Sequence, residues 1–282
     1  MAHRKLDMGA AWVQATGLIG SNRDTIGAIA GLFFFLPSLA SALLLPELAN
    51  PPQPAPADAD PQAAMRAMMD QMSAAYAANW PFLLGLVVAQ FVGSMSLFAL
   101  LTDRGNPTVG EALRTGLAST PSYLAAQLVA AFGAALAIGI PLGVISAMGG
   151  AAVAALGVIV AVVLILYVMV KLSLAAPVIA IEGNRNPFTA LGRSWQLTKG
   201  NSVRIALFIL LLLVVIGIIA ALVTGVLTLV FAAMGDTAAL VGGGVVNALV
   251  NTLLTVVFLV VTVAIYRQLA GASPERAAEL FD

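Results

Sequence analysis

Residues 151–181 read AAVAALGVIVAVVLILYVMVKLSLAAPVIAI, with Lys171 as the single charge. About 20 apolar residues cross the hydrocarbon of a bilayer. This run exceeds that length, so it predicts a membrane-spanning helix that tilts or protrudes. Working outward, the same apolar density returns at 26–45, 81–101, 123–148, 203–234 and 238–266. The pattern predicts an all-α polytopic membrane protein with six transmembrane helices. Pro37 interrupts the first of them late.

Composition agrees. The chain is 61% hydrophobic and 9% charged, whereas a soluble domain carries about 25% charged residues. Thirteen Lys/Arg and thirteen Asp/Glu cannot cover a globule of 282 residues. The formal net charge is zero, which gives no basic face for nucleic acid. The absence of cysteine excludes disulfides, thiolate metal sites and thiol nucleophiles. The one histidine, His3, lies in the N-terminal tail. The first 22 residues are amphipathic and lack the apolar core of a signal peptide, so the first span is expected to stay as an anchor.

The connections differ in kind. Gly149-Gly150 and the turn holding Asp236 read as tight helical hairpins. Residues 46–61 contain Pro46, Pro51, Pro52, Pro54, Pro56 and Pro61, which keeps them extended. Residues 62–78 read as helix again, with a stripe of Met65, Met68, Met69, Met72 and Tyr76. Thioethers bind soft metals, but a methionine stripe at helical spacing suits a packing or membrane face better. No metal or cofactor is expected.

Orientation follows the placement of Lys and Arg. Arg4, Lys5, Arg23, Arg104, Arg114, Arg185, Arg193, Lys199, Arg204, Arg267 and Arg276 fall on the side of the termini, against Arg66 on the other. Both termini are therefore expected in the cytoplasm, and the chain in the bacterial inner membrane.

A unit of one short amphipathic helix and two spans is expected three times within a single membrane domain, 1–282. The units are 1–105 (with the outer loop and methionine helix at 46–80), 106–184 and 185–271, followed by a short C-terminal helix at 272–282. Met8, Ala11, Trp12, Ala15 and Ile19 share one face of the first short helix. Val109, Ala112, Leu113, Gly116 and Leu117 do so in the second, and Phe188, Leu191 and Trp195 in the third. Asn106-Pro107 and Asn186-Pro187 offer caps, Thr108 with Glu111 a competing capping box, and Ser273-Pro274 a last start. Such helices lie in the cytoplasmic interface.

Catalysis needs positioned acids, bases or nucleophiles, and away from their ends the spans hold one charge, Lys171. Gly242-Gly243-Gly244 lacks the Lys-Ser/Thr of a phosphate loop. No enzyme is expected. Lys171 marks a functional site by default, yet it precedes Glu182 closely, with Pro177 expected to end the span between them, so snorkelling to the interface is favoured. Asn247 and Asn251 lie four apart in the last span, and Gln90 and Gln127 lie inside two others. Such amides join helices or line a polar cavity. Gly139 and Gly143 flank Pro141 at a spacing that suits close packing or a kink. Arg185, Arg193, Lys199 and Arg204 bracket the third short helix at the headgroup layer, where guanidinium groups pair with phosphate.

The segment Ala190-Leu191-Gly192-Arg193-Ser194-Trp195-Gln196-Leu197-Thr198-Lys199-Gly200-Asn201 resembles the signature of YciC-like inner-membrane proteins. A related pattern marks the membrane portion of some bacterial glycerophosphodiester phosphodiesterases. Lys171-Leu172-Ser173-Leu174-Ala175-Ala176-Pro177 with Glu182, Ala112-Leu113-Arg114, and the span of Asn247 and Asn251 fit the same resemblance. It implies six spans and an envelope or membrane-homeostasis role, without a catalytic domain. Residues 46–78 depart from it.

These readings converge on a non-enzymatic membrane protein that handles lipid, with Arg193, Lys199 and Arg204 as contacts to anionic headgroups. A small-solute transporter or channel is the alternative, with Gln90, Gln127, Lys171, Asn247 and Asn251 along its path. A scaffold for partner proteins is a third.

Overall fold

The computed structural model describes residues 5–45, 61–102 and 107–271. The proline-rich loop, the Asn106 cap, the C-terminal helix and His3 lie outside the described residues. Within them the chain is helical, with no strand.

The helices, in order, are α1 (Met8–Ser21), α2 (Arg23–Ala30), α3 (Leu36–Leu44), α4 (Pro61–Leu100), α5 (Val109–Ala134) and α6 (Ile140–Met148). Then come α7 (Ala151–Leu172), α8 (Ala175–Glu182), α9 (Pro187–Thr198), α10 (Ser202–Ala233) and α11 (Asp236–Ala270). Six stretches are long and apolar enough to cross a membrane: Arg23–Leu44, Ala63–Leu100, Val109–Ile145, Ala152–Glu182, Ser202–Ala233 and Asp236–Ala270. This is a multi-pass membrane protein. In Ala152–Glu182 only 6% of the most apolar window is buried. Val158, Ile159, Val163 and Leu166 are exposed there, an arrangement stable only where the surroundings are themselves apolar.

Hydropathy located the spans, and local chemistry changed their ends. The methionine helix and the second span form one helix, α4, which runs through Pro81. Proline removes one N–H and crowds the carbonyl four residues earlier. Ala77, Trp80 and Pro81 are all exposed. Met65, Met68, Met69 and Met72 are exposed as well, so the stripe is not part of the buried core. The second short helix is likewise continuous with its span: α5 runs through Pro121. The first and third short helices, α1 and α9, stand alone.

Two spans share a device. Gly31–Phe35 and Ala135–Gly139 are single π-helical turns, and each ends one residue before an X-Pro pair, Leu36-Pro37 and Ile140-Pro141. Leu36 donates its N–H to the Gly31 carbonyl, and Ile140 to that of Ala135. The extra residue in the turn makes room for the ring without ending the helix. At Gly139 and Gly143 a side chain would meet nothing within 4 Å. Close packing at that pair is therefore corrected to a π turn at Pro141.

The capping box wins at α5. The Thr108 hydroxyl accepts from the Glu111 N–H at 3.3 Å, and Glu111 Oε2 accepts from the Thr108 N–H at 2.9 Å. At α9, Asn186 Oδ1 accepts from Phe188 N at 3.0 Å, with Pro187 at the first helical position. The hairpins form as expected, with Gly150 before α7 and Gly235 (φ 106°) between α10 and α11.

The chain divides into two compact units. Unit 1 comprises 1–26, 94–215 and 257–282; unit 2 comprises 27–93 and 216–256. In unit 1 the core holds Met95, Leu97, Phe98, Ile179, Ile205, Val260 and Ile265. Helix α5 meets the end of α4 at Gly116, where a Cβ would lie 2.6 Å from Ser96 N and 2.8 Å from Ser96 Cα. In unit 2, Ile29, Phe34, Val92, Val246 and Ala248 are buried. Gly93 lies against Phe33 there and Gly242 against the Phe231 ring.

Candidate functional site

In unit 1 the helical ladder breaks at Ser173 and Leu174, between α7 and α8. Twenty rises separate Ala151 from Lys171, about 30 Å, which matches the hydrocarbon thickness of about 30 Å. The break at Ser173 and Leu174 therefore falls where a span that starts at Gly150 meets the interface. The expectation that Pro177 ends the span is corrected, because the break comes before it. Pro177 occupies the first turn of α8, where no intrahelical N–H bond is lost.

A break in a buried ladder leaves polar groups that need partners. Here α9 supplies them. Ser194 Oγ donates to the Lys171 carbonyl at 2.8 Å and accepts from Leu174 N–H at 3.2 Å. Thr198 Oγ1 lies 3.4 Å from the same carbonyl. Both hydroxyl residues are fully buried. Ser194 and Thr198, four apart on one face of α9, thus hold the end of α7 against it.

The Lys171 side chain does not snorkel outward. It is 4% exposed, and its Nζ sits 5.5 Å from the Tyr167 ring centroid and 5.3 Å from that of Trp195. The two rings meet edge to face at 5.9 Å. Their π faces stabilise an ammonium in place of water. Both rings are exposed on their outer sides, as aromatic residues are at a membrane interface.

The charged groups around α9 divide. Arg193 Nε pairs with Glu182 Oε1 at 3.3 Å, and the Tyr266 hydroxyl donates to the same oxygen at 2.9 Å. That carboxylate therefore links α8, α9 and α11. Arg204 Nη1 reaches the Leu6 carbonyl at 3.5 Å. Lys199, at the end of α9, is exposed, as is Arg185.

Sequence reading missed the docking of the N-terminal segment. Leu6 is buried, and its N–H donates to Asn201 Oδ1 at 2.9 Å. Asp7 N–H donates to Gln268 Oε1 at 3.1 Å, and Gln268 Nε2 donates back to the Asp7 carbonyl at 3.1 Å. Asn201 belongs to the quoted signature, and its polarity between two apolar helices was the available signal. Replacing Asn201 with Leu should free the segment: trypsin should cut at Lys5 faster than in the parent chain, while the α7–α9 contacts persist.

The intramembrane amides fall into different surroundings. Gln127 Nε2 donates to Tyr123 OH at 2.6 Å within α5 of unit 1 and is exposed. Gln90, Asn247 and Asn251 come together on one groove of unit 2 with Ser38, Ser41 and Thr255. The serines carried no signal, because Ser in an apolar helix is unremarkable until a neighbour faces it.

Residues 137–274 match the family model described as the membrane domain of glycerophosphoryl diester phosphodiesterase. Over that stretch the chain is similar to this membrane domain. The match begins inside the second π turn and runs through α11. It takes in Lys171, Glu182, Arg193, Ser194, Lys199, Asn201 and Arg204, and also Asn247 and Asn251. Gln90, Gln127 and the docked N-terminal segment lie before it. No curated protein and no solved structure matches the chain.

Proposed function

We propose that the protein is a non-enzymatic component of the bacterial inner membrane that handles anionic lipid at the headgroup layer, with both termini in the cytoplasm. The observation that carries this reading is the placement of α9. It lies against the end of a 30 Å helix, carries the exposed Trp195, and is flanked by exposed Arg185, Lys199 and Arg204. A lipid phosphate near such a belt meets cations at a depth where aromatic rings are also stable. Arg193 and Arg204 reach the phosphate layer while bonded to Glu182 and Leu6, so part of each fork of donors is held in position.

The matched family is named for an enzyme acting on glycerophosphoryl diesters. The match is to the membrane domain of that enzyme, so its reaction is not carried over to this chain. A transporter reading would place Gln90, Gln127, Lys171, Asn247 and Asn251 on one path. Lys171 is caged by aromatics and Gln127 is bonded within its own helix, which leaves three of the five together and no continuous path through them.

The test is native mass spectrometry of protein extracted gently from its own membranes. Replacing Arg193, Lys199 and Arg204 together with Ala should remove co-purifying anionic lipid and leave the far-ultraviolet helical signal unchanged. Retained lipid at the parent stoichiometry would overturn the assignment.

A further inference from the structure

The unit 2 groove has a volume of about 350 Å³, within the size range of small-ligand sites. Ser38 and Ser41 of α3, Gln90 of α4, and Asn247, Asn251 and Thr255 of α11 bring six neutral polar side chains to it. Among the described residues no Asp, Glu, Lys, Arg or His lines it. Asn247 lies eleven rises into α11, about 16 Å from its start, and Gln90 lies ten residues before the end of α4. These are depths of hydrocarbon, where unpaired polar groups are costly and water is scarce.

Bond accounting shows what the groove presents. The Asn251 amide N–H₂ is spent inside α11, on the Asn247 carbonyl at 3.0 Å and on Asn247 Oδ1. The Thr255 hydroxyl donates to the Asn251 carbonyl at 2.8 Å. An amide has two donors and two acceptor positions. Asn251 Oδ1 and the Asn247 amide nitrogen are thus left for an occupant, one acceptor and one donor side by side. On the opposite wall the first π turn brings Phe33 and Phe34 to the groove beside Pro37. Gly93 lets α4 close on those rings, since a Cβ there would lie 3.0 Å from Phe34 Cε1.

We propose that this groove binds an uncharged, membrane-soluble molecule through a hydroxyl head, the chemistry of a neutral lipid alcohol. The depth selects an occupant that partitions into hydrocarbon. The paired donor and acceptor select a group that both gives and takes a hydrogen bond, as a hydroxyl does and an ester alone does not. The absence of charge on the lining disfavours phosphate and ammonium heads, which would enter without a counter-ion. The site is separate from the cationic belt proposed above and takes the opposite class of head.

The experiment uses the full chain in phosphatidylcholine nanodiscs with a diazirine-bearing 1,2-diacylglycerol, followed by peptide mapping. Labelling is expected in α3, in α4 near Gln90 and in α11 between Asn247 and Thr255. Unlabelled dioleoylglycerol and a long-chain polyprenol distinguish two sources of the hydroxyl. Competition by either supports the site and names its preferred source. Triolein, which lacks a hydroxyl, and dioleoylphosphatidic acid, which adds charge, should fail to compete. Asn251→Leu should lower labelling about fivefold for one lost hydrogen bond. Ser41→Ala provides a gentler variant with the same expected direction should Asn251→Leu not fold. Labelling outside the groove, equal competition by triolein, competition by free glycerol from water, or undiminished labelling of Ser41→Ala and any folded Asn251→Leu protein would each overturn the proposal.

Discussion

Gly116→Ala is expected to destabilise the protein by about 3 kcal/mol, the upper part of the usual range for overpacking. The added methyl would sit 2.6 Å from Ser96 N and 2.8 Å from Ser96 Cα, in addition to its contact with Ser96 Oγ. A flexible side chain could turn away, but here the obstacle includes the backbone of α4. The helices must move apart, and the buried Met95, Leu97 and Ala112 around the crossing lose contact. The melting midpoint in detergent should fall by roughly 6–12 °C for a chain of this size. Ser96→Ala in the same chain removes only the hydroxyl and should not restore it. Gly133→Ala, in the same helix, meets nothing within 4 Å. It should be neutral or stabilising by up to about 1 kcal/mol, because alanine is the better helix former. Equal losses at Gly116 and Gly133 would show that the close crossing does not exist.

The second large effect belongs to Ser194→Ala. This substitution strands two buried backbone groups at once, the Lys171 carbonyl and the Leu174 N–H. An unsatisfied buried group costs about 1–3 kcal/mol, so a loss of about 2–5 kcal/mol is expected. Thr198 offers the carbonyl a longer alternative at 3.4 Å and has nothing for the N–H, which places the loss above that of one hydrogen bond. Ser202→Ala is the matched control. Its hydroxyl donates to the Thr198 carbonyl at 3.1 Å, within one turn of the same segment, and its removal should change the midpoint little. Hydrogen exchange at Leu174 should rise in Ser194→Ala and stay unchanged in Ser202→Ala. A midpoint within a degree of the parent would mean that water reaches the break between α7 and α8, so that α9 is not the group that closes it.

Both predictions concern residues whose chemistry is ordinary in sequence. Gly116 was read as one member of an apolar face, and Ser194 as part of a signature segment. Lys171 stood out, but its surroundings did not. A lysine eleven residues before Glu182 was expected to stretch toward water. The structure instead gives it Tyr167 from its own helix, four residues earlier, and Trp195 from α9. The first neighbour is legible at helical spacing. The second depends on how α9 folds back.

The membrane-spanning helices were legible because hydrocarbon offers the backbone no hydrogen bonds, so each span must satisfy its own and the requirement is written locally as apolar length. The caps at Thr108 and Asn186 were legible for the same reason, since their partners lie within three residues. Tertiary structure alone decided that helices would run through Pro81 and Pro121, where the local signal favoured a boundary. It also decided which polar side chains meet. Gln90, Asn247 and Asn251 share a groove and Gln127 does not, because a side chain's neighbours depend on the rotation of each helix about its axis. Apolar composition around the whole circumference leaves that rotation unspecified, and it is set by close contacts such as Gly116 on Ser96 and Gly93 on Phe33.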